Sequence, residues 1–161
     1  MNLAPLTSLL TIRIHLPLCF ATGNAGESWS ILLLLLDKVK TTPLTEVVVH
    51  LYFSVPKILA YEEKDAKGHM ISHHKVIMPD TWGSKLDWKK LLIMLKRFRS
   101  LNTIRFYIAL RIDFVDTFYE KLEEGAFKEI KAVIEENLGE FGEKRGLEVS
   151  WQQDNWPGLT I

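Results

Sequence analysis

His15 and His50 occupy polar positions in two stretches that otherwise alternate apolar and polar residues. Imidazole is the side chain that ordinarily titrates near neutrality. If the two stretches pair, the rings meet on one face, as a pH-sensitive patch or as the centre of a small active site. A metal centre is not expected there, because zinc needs three or four converging ligands. The other histidines, His69, His73 and His74, fall in a charged segment with no cysteine nearby and no H-E-x-x-H pattern. On a strand His69 and His73 share a face and His74 points away, so exposed hairpin histidines are expected and no metal.

Other chemistry finds less support. The turn Gly23-Asn24-Ala25-Gly26-Glu27-Ser28 has neither phosphate-loop nor dinucleotide spacing, and Glu27 stands where the phosphate-binding lysine belongs. No cofactor is expected. There is no G-x-S-x-G, and Cys19 lies in an apolar run that disfavours a thiolate. The carboxylate pairs Glu62-Glu63, Glu123-Glu124 and Glu135-Glu136 read as solvated charge. Asp113 and Asp116 end the best strand, and Asp116 is equally well explained as a helix cap. No catalytic residue is assigned.

Charge is balanced over the whole chain, with 20 bases and 20 acids, yet unevenly spread. Residues 61–112 hold eleven bases and five acids, whereas residues 113–161 hold five bases and twelve acids. Such asymmetry bears on partners. The acidic third offers Glu129, Glu136, Glu140, Glu143 and Asp154, with Trp156 and the loop residue Trp82 as aromatic anchors for a protein of basic surface. The basic middle offers Lys85, Lys89 and Lys96 along one helix. Arg13, Tyr52, Arg105, Tyr107 and Arg111 lie on a sheet face, the mixture that holds single-stranded nucleic acid. Internal attraction between the two segments explains the same asymmetry without any partner.

The elements that position these residues follow from periodicity. Strands are expected at about 8–19, 46–55, 103–113 and 147–153, and a hairpin at 57–78 whose edge invites a second copy. Helices are expected from a Ser28 cap to Lys40, over 85–99 from a Ser84 cap, and over 115–143 with a break at Gly125. Strands with one wet face argue for a mixed or mainly antiparallel sheet. The expected fold is a single α+β domain over residues 1–161, a two-layer sandwich with helices on one face, in the order β-α-β-hairpin-α-β-α-β.

Arg13 and His15 interrupt the apolar N-terminal stretch and no base precedes it, so it reads as strand rather than export signal. The run Ile31–Leu36 is far shorter than the roughly 20 residues a membrane helix needs. A cytoplasmic protein without a membrane partner is expected. The leading functional reading is a non-catalytic protein-interaction domain, in its specific form a small inhibitor or immunity-type protein that neutralises a basic enzyme or toxin. Nucleic-acid binding and a small enzyme centred on His15 and His50 are the alternatives.

Overall fold

The computed structural model describes residues 10–19, 25–39, 43–54, 58–76, 78, 82–111 and 119–152. Strand β1 (Thr11–Cys19) leads to helix α1 (Ala25–Lys38) and strand β2 (Glu46–Ser54). An antiparallel hairpin follows, β3 (Ile58–Lys64) and β4 (Met70–Val76). A 3₁₀ turn at Gly83–Lys85 precedes α2 (Trp88–Arg97), then β5 (Thr103–Arg111), α3 (Tyr119–Lys144) and β6 (Gly146–Trp151). No helix among the described residues is long and apolar enough to cross a membrane.

The main sheet has the order β1-β2-β5-β6, and every pair in it is parallel. This corrects the expectation of a mixed or mainly antiparallel sheet; among the described residues antiparallel pairing is confined to the separate β3–β4 hairpin. One-sided alternation usually marks antiparallel sheets, because parallel sheets are commonly covered by helices on both faces. Here each new strand joins the far side of its predecessor. Crossovers between parallel strands are right-handed in nearly all proteins, so successive steps in one direction carry all the connections over the same face. Among the described residues the opposite face receives no helix.

The apolar parity of the strands fills the covered face. Leu16, Leu18, Val49, Leu51, Phe53, Ile104, Phe106 and Ile108 are buried against Trp29, Leu32, Leu36, Leu91, Leu95, Ile130, Ile134 and Leu138 of the three helices. Trp29 lies edge-on to Trp88 with centroids 4.6 Å apart. Just ahead of each strand a carbonyl ties the next unit on. Leu10 O accepts from the Thr45 and Glu46 amides, Thr45 O from those of Asn102 and Thr103, and Asn102 O from that of Gly146. A Cβ on Gly146 would sit 3.1 Å from Thr103 Oγ1 and 3.3 Å from Asn102 O, so glycine permits this approach.

Local details differ from the sequence reading. Asp87, not Ser84, caps α2, its side chain accepting from the Lys90 amide at 2.9 Å. Ser28 lies inside α1, which begins at Ala25. Helix α3 runs unbroken through the exposed Gly125, because the intrinsic penalty of one glycine is small beside the burial of Ala126, Ile130, Ile134 and Leu138 that follow it. Trp82, expected as a surface anchor, is 3% exposed and packs edge-on against Phe53. Cys19 is half-buried and aligns with Ser54 of the neighbouring strand on the helix-free side. In the hairpin turn Gly68 has φ +83°, and Asp65 Oδ1 accepts from the Lys67 and His69 amides, each at 2.8 Å.

Phe106 is fully buried at the centre of the sheet, whereas Ile93 on α2 is 56% exposed. Phe106→Ala is expected to cost about 3–5 kcal/mol and Ile93→Ala less than about 1 kcal/mol, measured by urea unfolding of each variant.

Candidate functional site

Parallel pairing in register builds the helix-free face in rows. Thr11, Glu46, Thr103 and Gly146 align across the sheet, then Arg13, Val48, Arg105 and Glu148, then His15, His50, Tyr107 and Ser150. Strands lie about 4.8 Å apart, close to the stacking distance of aromatic rings. The His15 and His50 rings are accordingly parallel within 4° at 4.3 Å, and Tyr107 continues the stack 4.9 Å from His50. His15 is exposed at the sheet edge, while His50 and Tyr107 are half-buried in the middle.

Each imidazole has a fixed partner. His15 Nδ1 lies 2.8 Å from the Tyr52 hydroxyl, and His50 Nδ1 lies 2.9 Å from Gln152 Oε1. An amide oxygen only accepts, so His50 carries its proton on Nδ1. Its Nε2 is buried and meets no hydrogen-bond partner among the described residues. Partial burial, the neighbouring His50 and Arg13 together hold the His15 pKa below its ordinary value. Burial pushes the Tyr52 phenol up. Both shifts favour a neutral pair.

The row beneath is ionic. Arg105 Nη1 donates to Glu46, and Arg105 Nε donates to Glu148 Oε2 at 2.7 Å. The Glu148 hydrogen bond is the first cause raising the Arg105 pKa. Thr11 Oγ1 donates to the other oxygen of Glu46 at 3.2 Å. Val48, flanked by Arg13 and Arg105, is 1% exposed, because long basic side chains shield apolar surface with their stems.

The structure redistributes the residues singled out by sequence. Tyr52, expected as an open stacking platform, is 4% exposed, since it stands on a central strand with His15 over its hydroxyl. Arg13 and Tyr107 do lie on the helix-free face, and Arg105 lies there between two carboxylates. The side chain of Arg111 lies outside the described residues, as do Asp154 and Trp156. On the helical side Lys96 bridges to Glu140 at 3.0 Å, and Glu140 also meets Lys144 at 3.3 Å. Lys96, from the basic segment, and Glu140, from the acidic one, thus satisfy each other. Glu129, Glu136 and Glu143 stay exposed on α3. Glu129 and Glu136 share with Lys85, Lys89 and Trp88 an open cleft of about 640 Å³ between α3 and the start of α2.

Sequence reasoning missed Gln152, Glu46 and Glu148 as partners of the site. All three sat on polar positions of their strands, but which residue each would meet depended on strand order. Among the described residues no group of three His, Cys, Asp or Glu side chains is placed to hold a metal. Comparison with protein-family models, curated proteins and solved structures finds no match for this chain.

The His15 shift has a consequence for stability. Its folded pKa lies below the unfolded 6.5, so below that value the unfolded chain binds the extra proton and the fold loses stability as pH falls. The urea midpoint should therefore drop between pH 7.5 and 5.5, and His15→Gln should reduce that drop. An NMR titration of the His15 ring should show its midpoint below 6.5.

Proposed function

We propose that this chain is a non-catalytic protein-interaction domain whose contact surface is the helix-free face of the parallel sheet. The observation that carries this reading is the exposed Arg13 and His15 beside half-buried His50 and Tyr107, on a face that carries no helix among the described residues although parallel sheets are ordinarily covered on both sides. Stacked rings beside a balanced ionic row suit a protein partner, since aromatic residues and arginine are enriched where protein surfaces meet. The imidazoles take a phenol and an amide as partners, not the nucleophile or carboxylate that acid–base catalysis would use.

Two features weigh against nucleic acid as the ligand of this face. Arg105 is held by Glu46 and Glu148, so each phosphate contact through it would first break an ion pair. Tyr52 is buried and offers no ring for a base to stack on. Lys85 and Lys89 remain exposed, but they face Glu129 and Glu136 across the α2–α3 cleft, which lowers the potential that phosphates would feel.

A second reading keeps the partner basic and places it on α3. Glu129, Glu136 and Glu143 stay exposed without an ion pair among the described residues. An inhibitor that neutralises a basic enzyme or toxin would use such a stripe, and a cytoplasmic location belongs to that reading.

Affinity capture from the native host, with ribonuclease present, separates these ideas. The wild-type chain should retain a protein that Arg13→Glu with Tyr107→Ala loses and Glu136→Lys with Glu143→Lys keeps; the reverse pattern moves the interface to α3. Single-stranded RNA bound at physiological salt, with affinity falling steeply as salt rises, would overturn the protein-binding reading.

A further inference from the structure

The outer surface of α1 carries a stripe that the covered sheet does not explain. Glu27, Ile31, Leu34 and Lys38 are all exposed, Ile31 at 55% and Leu34 at 57%. At about 100° per residue they fall within an arc of roughly 60° on one side of the helix. Acid at the first turn and base at the last complement the helix dipole, which accounts for Glu27 and Lys38 singly. It does not account for two aliphatic side chains held in water between them.

The order of the four residues is self-complementary. Glu27 and Lys38 lie equally far from a point midway between Leu32 and Leu33, and so do Ile31 and Leu34. Turned end for end about that point, the stripe sets each carboxylate opposite an ammonium and each aliphatic residue opposite the other. This is the condition for an isologous two-fold contact, in which the same patch serves both partners. Neither Glu27 nor Lys38 has an ion pair within the chain among the described residues. Beside the stripe a hollow of about 450 Å³ opens between α1 and α2, with Leu33, Leu34 and Met94 on its walls beside Ser30, Asp37 and Lys90. It gives the facing helix somewhere to seat an aliphatic side chain.

We infer that α1 is a self-association surface: two copies of this chain pair their α1 helices antiparallel, Ile31 against Leu34 of the partner and Glu27 against Lys38 of the partner. The contact lies on the helical side, opposite the sheet face assigned above, so it leaves that face open and is independent of its role. It also differs from pairing through the β3–β4 edge. A single helix pair buries less than a standard stable interface, so the dimer is weak and forms reversibly with concentration.

Sedimentation equilibrium of the full chain up to about 1 mM tests this, with thermal unfolding run alongside to show that each variant stays folded. The wild type should show a concentration-dependent dimer. Leu34→Glu should leave it monomeric. Because two-fold symmetry alters both ion pairs at once, Glu27→Lys and Lys38→Glu should each weaken association about tenfold. The double variant Glu27→Lys with Lys38→Glu should restore it, since exchanging both ends recreates the complement. A wild type that stays monomeric throughout, a dimer indifferent to Leu34→Glu, or a double exchange weaker than either single one would overturn the proposal.

Discussion

In-register parallel pairing, always stepping to the same side, is the constraint from which the rest of this structure follows. It sends α1, α2 and α3 over one face, where their apolar stripes bury Phe53, Phe106 and Leu51. It leaves the opposite face without helices among the described residues. It also sets residues of equal register side by side at strand spacing, so His15 meets His50 and His50 meets Tyr107 as stacked rings. A shift of β2 by one residue would turn His50 into the core and Leu51 into water, at a cost no contact on the polar face would offset.

The uneven spread of charge is resolved in part within the fold. Lys96 meets Glu140, Arg97 meets Asp37, and Arg105 meets Glu46 and Glu148. Exposed pairs of this kind contribute little stability each, about 0–1 kcal/mol. Their larger effect is on the surface they leave behind. Bases and acids stand side by side on the sheet face and in the α2–α3 cleft, and no buried charged residue occurs among the described residues. What remains distinctive is shape: a parallel sheet with one face free of helices among the described residues, and an exposed aliphatic stripe on the other side.

Much of the fold was legible because period-two alternation is a local signal. The strands at 103–111 and 46–54 and the stripe Phe127, Ile130, Ile134, Leu138 can be read directly from the chain. The polarity of the pairing was not, since a wet-faced strand looks alike in a parallel and an antiparallel sheet. Trp82 and Tyr52 were misplaced for a related reason. A tryptophan in a loop and a tyrosine on a polar parity look exposed until the tertiary fold packs Phe53 against one and His15 over the other. Gln152 was visible as a polar strand residue, but its partner, His50, is 102 positions away.

The sequence by itself determined which side of each strand is apolar, where the helices lie between strands, and that His15 and His50 share the polar side. These are written in spacings of two to four residues, which the chain carries locally. Only the tertiary structure decided that the strands run parallel, that the two imidazoles stack, and that Arg105 is already engaged by two carboxylates. Those outcomes depend on which strand is neighbour to which, and that is set by the handedness of the long connections and the burial of one common core, not by any short stretch of residues.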